Sequence, residues 1–329
     1  MTAQLLKQRK NNTIQILRAI AIIAVVIIHT TPPAEWQVFC RPFINYAVAL
    51  FLFLSGYLTK SENNNWKTFY KKRISRVIIP YIIWSVIYSI PNIYLHNQGI
   101  ERLFLNLITT KACATLYYIF VYIQFVLLTP LLCKLATSRY RFIGWIIAPI
   151  SLIFPYYNLL TETEPNKYIA ILWSVSCLGW FTFYYLGLVL GNKIIKKNFS
   201  LKSLTILYII SILIQMAEGY GWMLLGETNC GTQLKLSSLL TSTIFLLMSY
   251  SILTRNIQIK NKFLHALGDY SFGIYLCHIM IIMILSRFSF YTNLPFPINS
   301  VTIIFVSFGF CYMGDKILNT KMSQWIGLK

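Results

Sequence analysis

Apolar runs of about 20 residues recur from one end of this 329-residue chain to the other. Short polar stretches separate them. The pattern predicts ten membrane-spanning helices, at 14–31, 42–59, 77–95, 115–136, 141–156, 168–191, 203–225, 236–254, 270–290 and 298–317. In hydrocarbon every backbone N–H and C=O must find its partner within the chain, and a helix does this segment by segment. The reading is an all-α polytopic membrane protein, a bundle of about ten transmembrane helices forming a single integral-membrane domain over residues 1–329.

The polar stretches give the runs a direction. With the N-terminus inside, all of the 29 Lys and Arg but Arg41, Arg102, Lys111, Lys167, Lys235 and Arg287 fall on the inner side. This asymmetry predicts that both termini are cytoplasmic. The net charge of +20 then reflects topology, and no nucleic-acid partner is expected. Membrane lipids and anionic ligands are the partners that such cationic loops suit. The first run is long and no small-residue cleavage site follows it, so it reads as a span rather than a cleaved leader. The inner stretch 60–76 sets Trp66, Phe69 and Tyr70 among lysines, which predicts a short interfacial helix. Seven cysteines are scattered singly, without metal-ligand spacing, and no metal site is expected. Cys40, Cys113 and Cys230 fall near outer ends; one disulfide among them is an option, and buried free thiols are the favoured reading.

Against this apolar background the ionisable residues stand out, because such groups inside a span are costly and mark functional pathways. Arg18 and His29 lie in the first run. Eleven steps of ~100° end about 20° past three full turns, so both project from one face, roughly 16 Å apart along the axis. Singly, Arg18 reads as a snorkelling cation and His29 as an interfacial hydrogen-bonding residue; the shared face favours a joint role. Arg73 and Arg76, at i and i+3, share a helix face where the third run enters the membrane. They are either an ordinary positive-inside cluster or a clamp for phosphate oxygens, which Arg forks fit well. In the ninth run Ser271, Tyr275 and His278 line one face as a polar stripe. That stripe either holds helices together or serves a site. Glu218, late in the seventh run, and Glu35, just outside the first, are weaker candidates for orienting a His or binding a polar acceptor. His96 and His265 need no special role, and Tyr117, Tyr118 and Gln124 read as aromatic belt and helix contacts. No nucleophile elbow, P-loop, Rossmann fingerprint or HExxH motif is present.

Taken in order, several segments resemble the integral-membrane acyltransferase family 3. Its first span carries an Arg, ten residues and a His, as Arg18 and His29 do here. Phe51–Leu58 looks like the family's Phe-rich Ser-Gly-aromatic-Leu run, and Arg73 with Arg76, followed by Pro80 and Tyr81, matches its Arg-x-x-Arg. Leu116–Pro130 is similar to its aromatic-rich fourth span, Phe183–Gly187 to its sixth, and Ser271–His278 to the Ser-aromatic-x-x-Tyr-Leu-x-His of its ninth. Phe272 stands where Tyr is common, and Tyr117-Tyr118 where Trp is common.

The resemblance implies an O-acetyltransferase of a bacterial cytoplasmic membrane, without an esterase-like C-terminal domain. The donor would be acetyl-CoA, with no permanently bound cofactor. The acceptor would be an envelope sugar or lipid-linked glycan such as an O-antigen, common-antigen, capsule or exopolysaccharide unit. Arg73 and Arg76, with Arg18, would hold the coenzyme phosphates. His29 would act as general base or take the acyl group itself. Ser271, Tyr275, His278 and Glu218 would serve the acceptor or the oxyanion. A transporter or exporter of a polysaccharide intermediate or small polar molecule is the alternative, since intramembrane Arg and His also suit a transport path.

Overall fold

The computed structural model describes residues 3–33, 35–60, 65–96, 101–161, 166–195, 199–255 and 260–329. Its regular elements are all helical among the described residues. In chain order the helices are α1 (Ala3–Thr30), α2 (Glu35–Cys40), α3 (Tyr46–Tyr57), α4 (Trp66–His96), α5 (Glu101–Thr109), α6 (Tyr117–Thr137), α7 (Ile143–Ser151), α8 (Ile153–Thr161), α9 (Lys167–Ser174) and α10 (Phe181–Gly191). There follow α11 (Leu201–Leu224), α12 (Leu236–Thr254), α13 (Lys262–Asp269), α14 (Ser271–Leu285), α15 (Ser289–Thr292), α16 (Ile298–Ile317) and α17 (Thr320–Ile326). Nine helical segments among the described residues are long and apolar enough to cross a membrane, or ten if the bent pair α13–α14 counts as one.

Three boundaries differ from the hydropathy reading. The second span runs from Glu35 to Tyr57, because α2, a short 3-10 turn at Arg41–Phe43 and α3 follow one another. Arg41, expected in an outer loop, therefore lies within it. The 3-10 turn accommodates Pro42, whose missing N–H costs nothing at a first helical turn. The ninth span, expected over 270–290, is helical as α14 only to Leu285, 15 residues long. The inner stretch expected to form a separate interfacial helix is instead the start of α4, continuous from Trp66; residues 61–64 of that stretch lie outside the described residues.

Two compact units divide the chain. The first comprises Met1–Glu62, Pro130–Glu164 and Leu178–Asp269. In it α3 packs against α10 and α1, and α1 against α13. The α3–α10 crossing is closest at glycines: a Cβ on Gly187 would lie 2.1 Å from the Phe53 carbonyl oxygen, and one on Gly56 would lie 2.2 Å from that of Tyr184. The Ser-Gly-aromatic and Tyr-Tyr-Leu-Gly phrases of the sequence are thus two sides of one crossing, where small residues let backbones meet.

Asn63–Thr129, Pro165–Cys177 and Tyr270–Lys329 make up the second unit. In it α4 packs on α5 and α17, and α14 on α16. Buried aromatics of α4 tie these elements through their polar ends. Tyr81 donates to Leu107 O at 2.6 Å, Trp84 Nε1 to Ile326 O at 2.9 Å and Tyr88 to Leu276 O at 2.7 Å. All seven cysteines are free thiols.

Candidate active site

In the first unit the site residues ride on α1. Its core-facing side is built from small and β-branched residues, Ala19, Ala21, Ala24, Val25 and Val26, all buried. Arg18 is half-buried and donates to Gln15 Oε1 at 3.4 Å. His29 is exposed in the last turn, between buried Ile28 and Thr30. The carbonyls of that turn also take side-chain donors, Ile27 O in addition to the Thr31 N–H at 2.9 Å. Thr30 Oγ1 donates to Val26 O at 2.9 Å, Thr31 Oγ1 to Ile27 O at 2.6 Å and Arg41 Nη2 to Ile28 O at 3.3 Å. Thr30 and Thr31 thus bond back along α1 itself, Arg41 reaches the same turn from the second span, and the imidazole stays exposed.

Within the second unit, a row of side chains joins Arg73 to the α14 stripe. Arg73 lies over the Phe69 ring, 5.4 Å from its centroid, and donates to Tyr122 OH at 3.4 Å; Arg76 is exposed. Tyr122 neighbours Tyr118 on α6, with ring centroids 6.4 Å apart, and Tyr118 meets Tyr275 edge-on at 5.5 Å. The Tyr275 hydroxyl donates to Thr115 O, and its ring lies 6.2 Å from that of His278. Ser271, Tyr275 and His278 are all buried. His278 Nδ1 faces two carbonyls, Tyr275 O at 2.8 Å and Ile274 O at 3.1 Å, so it carries the proton and Nε2 is the basic nitrogen. The sequence reading took Tyr118 for a belt residue and passed over Tyr122. Gln124 does link helices as expected: it donates to Val175 O at 2.7 Å and accepts from Cys177 N at 3.1 Å.

Glu218 belongs to a different cluster of the first unit. Its carboxylate accepts from the Tyr156 hydroxyl and from both the backbone N–H and the hydroxyl of Ser237, in the first turn of α12. Tyr156 OH in turn accepts from Leu236 N at 3.0 Å. The pair thus caps α12, satisfying donors that the helix start leaves over and placing negative charge at its positive end. Nearby Lys235, assigned by sequence to an outer loop, is only 1% exposed. Its ammonium donates to Cys230 O at 2.6 Å and lies 5.5 Å from the centre of the Trp222 ring. Burial pushes its pKa below the ordinary lysine value, and the Glu218 carboxylate pulls it back up. Glu218→Ala is expected to lower stability by about 1–2 kcal/mol through loss of the cap, read as a lower thermal midpoint. An unchanged midpoint with a raised acceptor KM would instead put Glu218 on the acceptor.

Glu35 is exposed at the start of α2, and His265 pairs with Asp269 at 3.3 Å; the His96 side chain lies outside the described residues.

No solved structure matches this chain. It is similar to a probable poly-β-1,6-N-acetyl-D-glucosamine export protein of Staphylococcus aureus strain Mu50, 23% identical over 287 residues, which are 82% of this chain and 77% of that protein. The family model described as an acyltransferase domain matches residues 11–315, from the first turns of α1 to the end of α16. With the match running through nearly the whole helical array, this multi-pass membrane protein belongs to that acyltransferase family.

Proposed function

We propose that the protein transfers an acetyl group from cytoplasmic acetyl-CoA to a hydroxyl of a cell-envelope glycan, working in a bacterial cytoplasmic membrane with both termini inside. The reading is carried by the family match over residues 11–315 together with the Arg18–His29 pair on α1. His29 is the general base. It takes the proton of the acceptor hydroxyl as that oxygen attacks the thioester carbonyl. The C–S bond then breaks, and the coenzyme thiolate leaves with the proton returned by the imidazolium. Arg73 and Arg76 hold the coenzyme phosphates through charge-assisted hydrogen bonds, with Arg18 assisting. Ser271 and His278 serve the acceptor or the oxyanion, and Tyr275 fixes their helix. Acetyl-CoA is a substrate here, and no resident cofactor is invoked. The cap that Glu218 forms on α12 supports a structural role for that residue.

Export of a polysaccharide is the second reading, favoured by what the staphylococcal relative is called. Membranes containing the protein, given labelled acetyl-CoA and envelope glycan, separate the two. The enzyme labels the glycan, whereas an exporter moves glycan without dependence on acetyl-CoA. Arg73→Ala and Arg76→Ala are each expected to weaken acetyl-CoA binding roughly tenfold or more, since a hydrogen bond to a charged group is worth about 1.5–3 kcal/mol. Unaltered affinity in both variants removes the clamp.

A further inference from the structure

The second span carries a polar face that these roles leave unused. Gln37 lies in α2, Arg41 in the 3-10 turn and Asn45 just before α3. Spaced by four, they fall on one side of the helical run. Gly231 sits against that side: a Cβ there would lie 2.6 Å from Arg41 Cδ and 2.8 Å from Gln37 Cβ. Asn45 Nδ2 donates to Gly231 O at 3.2 Å, and Gln215 Nε2 donates to Ser238 Oγ at 2.8 Å. The Ser238 hydroxyl passes its own proton to Thr232 O at 3.0 Å. Those contacts fix which end of the Asn45 and Gln215 amides is nitrogen, because a flipped Asn45 would set oxygen against oxygen.

The acceptor ends are left over. Asn45 and Gln215 are each 1% exposed and Gln37 8%. Among the described residues, Gln37 Oε1, Asn45 Oδ1 and Gln215 Oε1 receive no hydrogen bond, and Arg41 Nε donates none. Buried polar atoms without partners are few in native proteins and costly. Two acceptors and one donor on the second span, with a third acceptor on α11, form a specific chemical pattern. An anion would meet three oxygens of like polarity. A cation would meet the Arg41 guanidinium, and an apolar group would satisfy none of them. Hydroxyl groups suit the pattern, because each gives one hydrogen and takes another.

We propose that the Gln37–Arg41–Asn45 face, with Gln215, binds the hydroxyl groups of a saccharide. Arg41 is its entrance: the side chain is half-buried, and Nη1 donates at 3.2 Å to exposed Asn229, a contact open to solvent and easily exchanged. Through Nη2 the same guanidinium holds Ile28 O, the carbonyl just before His29. A saccharide bound here is therefore at the His29 end of α1. Naming that saccharide as the acetyl acceptor rests on the acyltransferase reading; the binding itself does not.

The test omits acetyl-CoA. The full chain in lipid nanodiscs is titrated with an N-acetylglucosamine trisaccharide, a glucose trisaccharide and a polyethylene glycol of matched mass, and thermal midpoints are followed. At least one trisaccharide raises the midpoint and the polyethylene glycol does not. In Gln37→Leu and Gln215→Leu the saccharide affinity falls at least tenfold; the saccharide-free midpoint of Gln37→Leu holds or rises, since an oxygen without a donor is gone, whereas that of Gln215→Leu also carries the loss of its hydrogen bond to Ser238. Should Gln215→Leu fail to fold, Gln37→Leu, nearer the surface, carries the test. Wild-type affinity in the folded variants, or no stabilisation of the wild type by either trisaccharide, overturns the proposal. Acetyl-CoA affinity is measured separately on the same samples. Its absence alongside intact saccharide binding strikes the acyltransferase reading and leaves this one standing.

Discussion

His29→Ala is expected to cut acetyl transfer sharply. A positioned general base contributes about 10²–10⁴-fold, so the rate of glycan labelling falls by that factor while acetyl-CoA affinity stays at the wild-type value. The geometry makes this a clean experiment. The imidazole is exposed, and Arg41 holds the neighbouring Ile28 carbonyl, so α1 is expected to stay in place in the variant. An unchanged thermal midpoint verifies that. Added imidazole should restore part of the rate, because the site of the missing ring is accessible. Transfer at the wild-type rate in a well-expressed variant would remove His29 from the chemistry. Acid-quenched protein carrying labelled acetyl on wild-type enzyme, absent in the variant, would instead show that His29 takes the acyl group itself.

Replacing Gly187 with Leu prevents the first unit from assembling. Overpacking a core ordinarily costs ~1–3 kcal/mol, because side chains shift to relieve it. Here even the first carbon of the new side chain meets the backbone carbonyl of Phe53 at 2.1 Å. Neither helix backbone yields as a side chain does, so the loss should exceed that range, with α3 and α10 forced apart. The measurement is the yield of folded protein and its thermal midpoint in detergent. Gly221→Ala is the matched control: it adds a carbon within α11 where nothing lies within 4 Å, and it should be close to neutral. A wild-type midpoint for Gly187→Leu would show that the crossing is looser than its atoms imply.

Both expectations were partly legible in the sequence. The Arg18–His29 spacing follows from helical periodicity alone, and the glycine-bearing phrases were recognisable as motifs before their shared crossing was known. The link from Arg73 to Tyr122 was not legible. It joins positions 49 residues apart, and nothing local marks a tyrosine in an aromatic-rich helix as an arginine's partner. Arg41 was missed for a different reason. Hydropathy starts the second span at 42, one residue after it, yet α2 and a 3-10 turn carry the helical run back to Glu35. Once the span begins at Glu35, the Gln37, Arg41 and Asn45 spacing is an ordinary i, i+4 series. Lys235 shows the limit of charge counting: hydropathy assigns it to water, while Trp222 and the Cys230 carbonyl bury it.

The continuity of α4 has a consequence for ligand capture. Its 31 residues make a rod of about 46 Å at 1.5 Å per residue, against a hydrocarbon thickness of ~30 Å. At most about a third of it, and less if it tilts or bends at Pro80 and Pro91, can extend past the lipid tails. In place of a floppy basic loop, the chain offers Arg73 and Arg76 on a stiff mast whose backbone entropy was surrendered at folding. A phosphate-bearing molecule held there, as proposed, would order only side chains, and its binding is expected to be tighter than the same cations would give on a flexible tether.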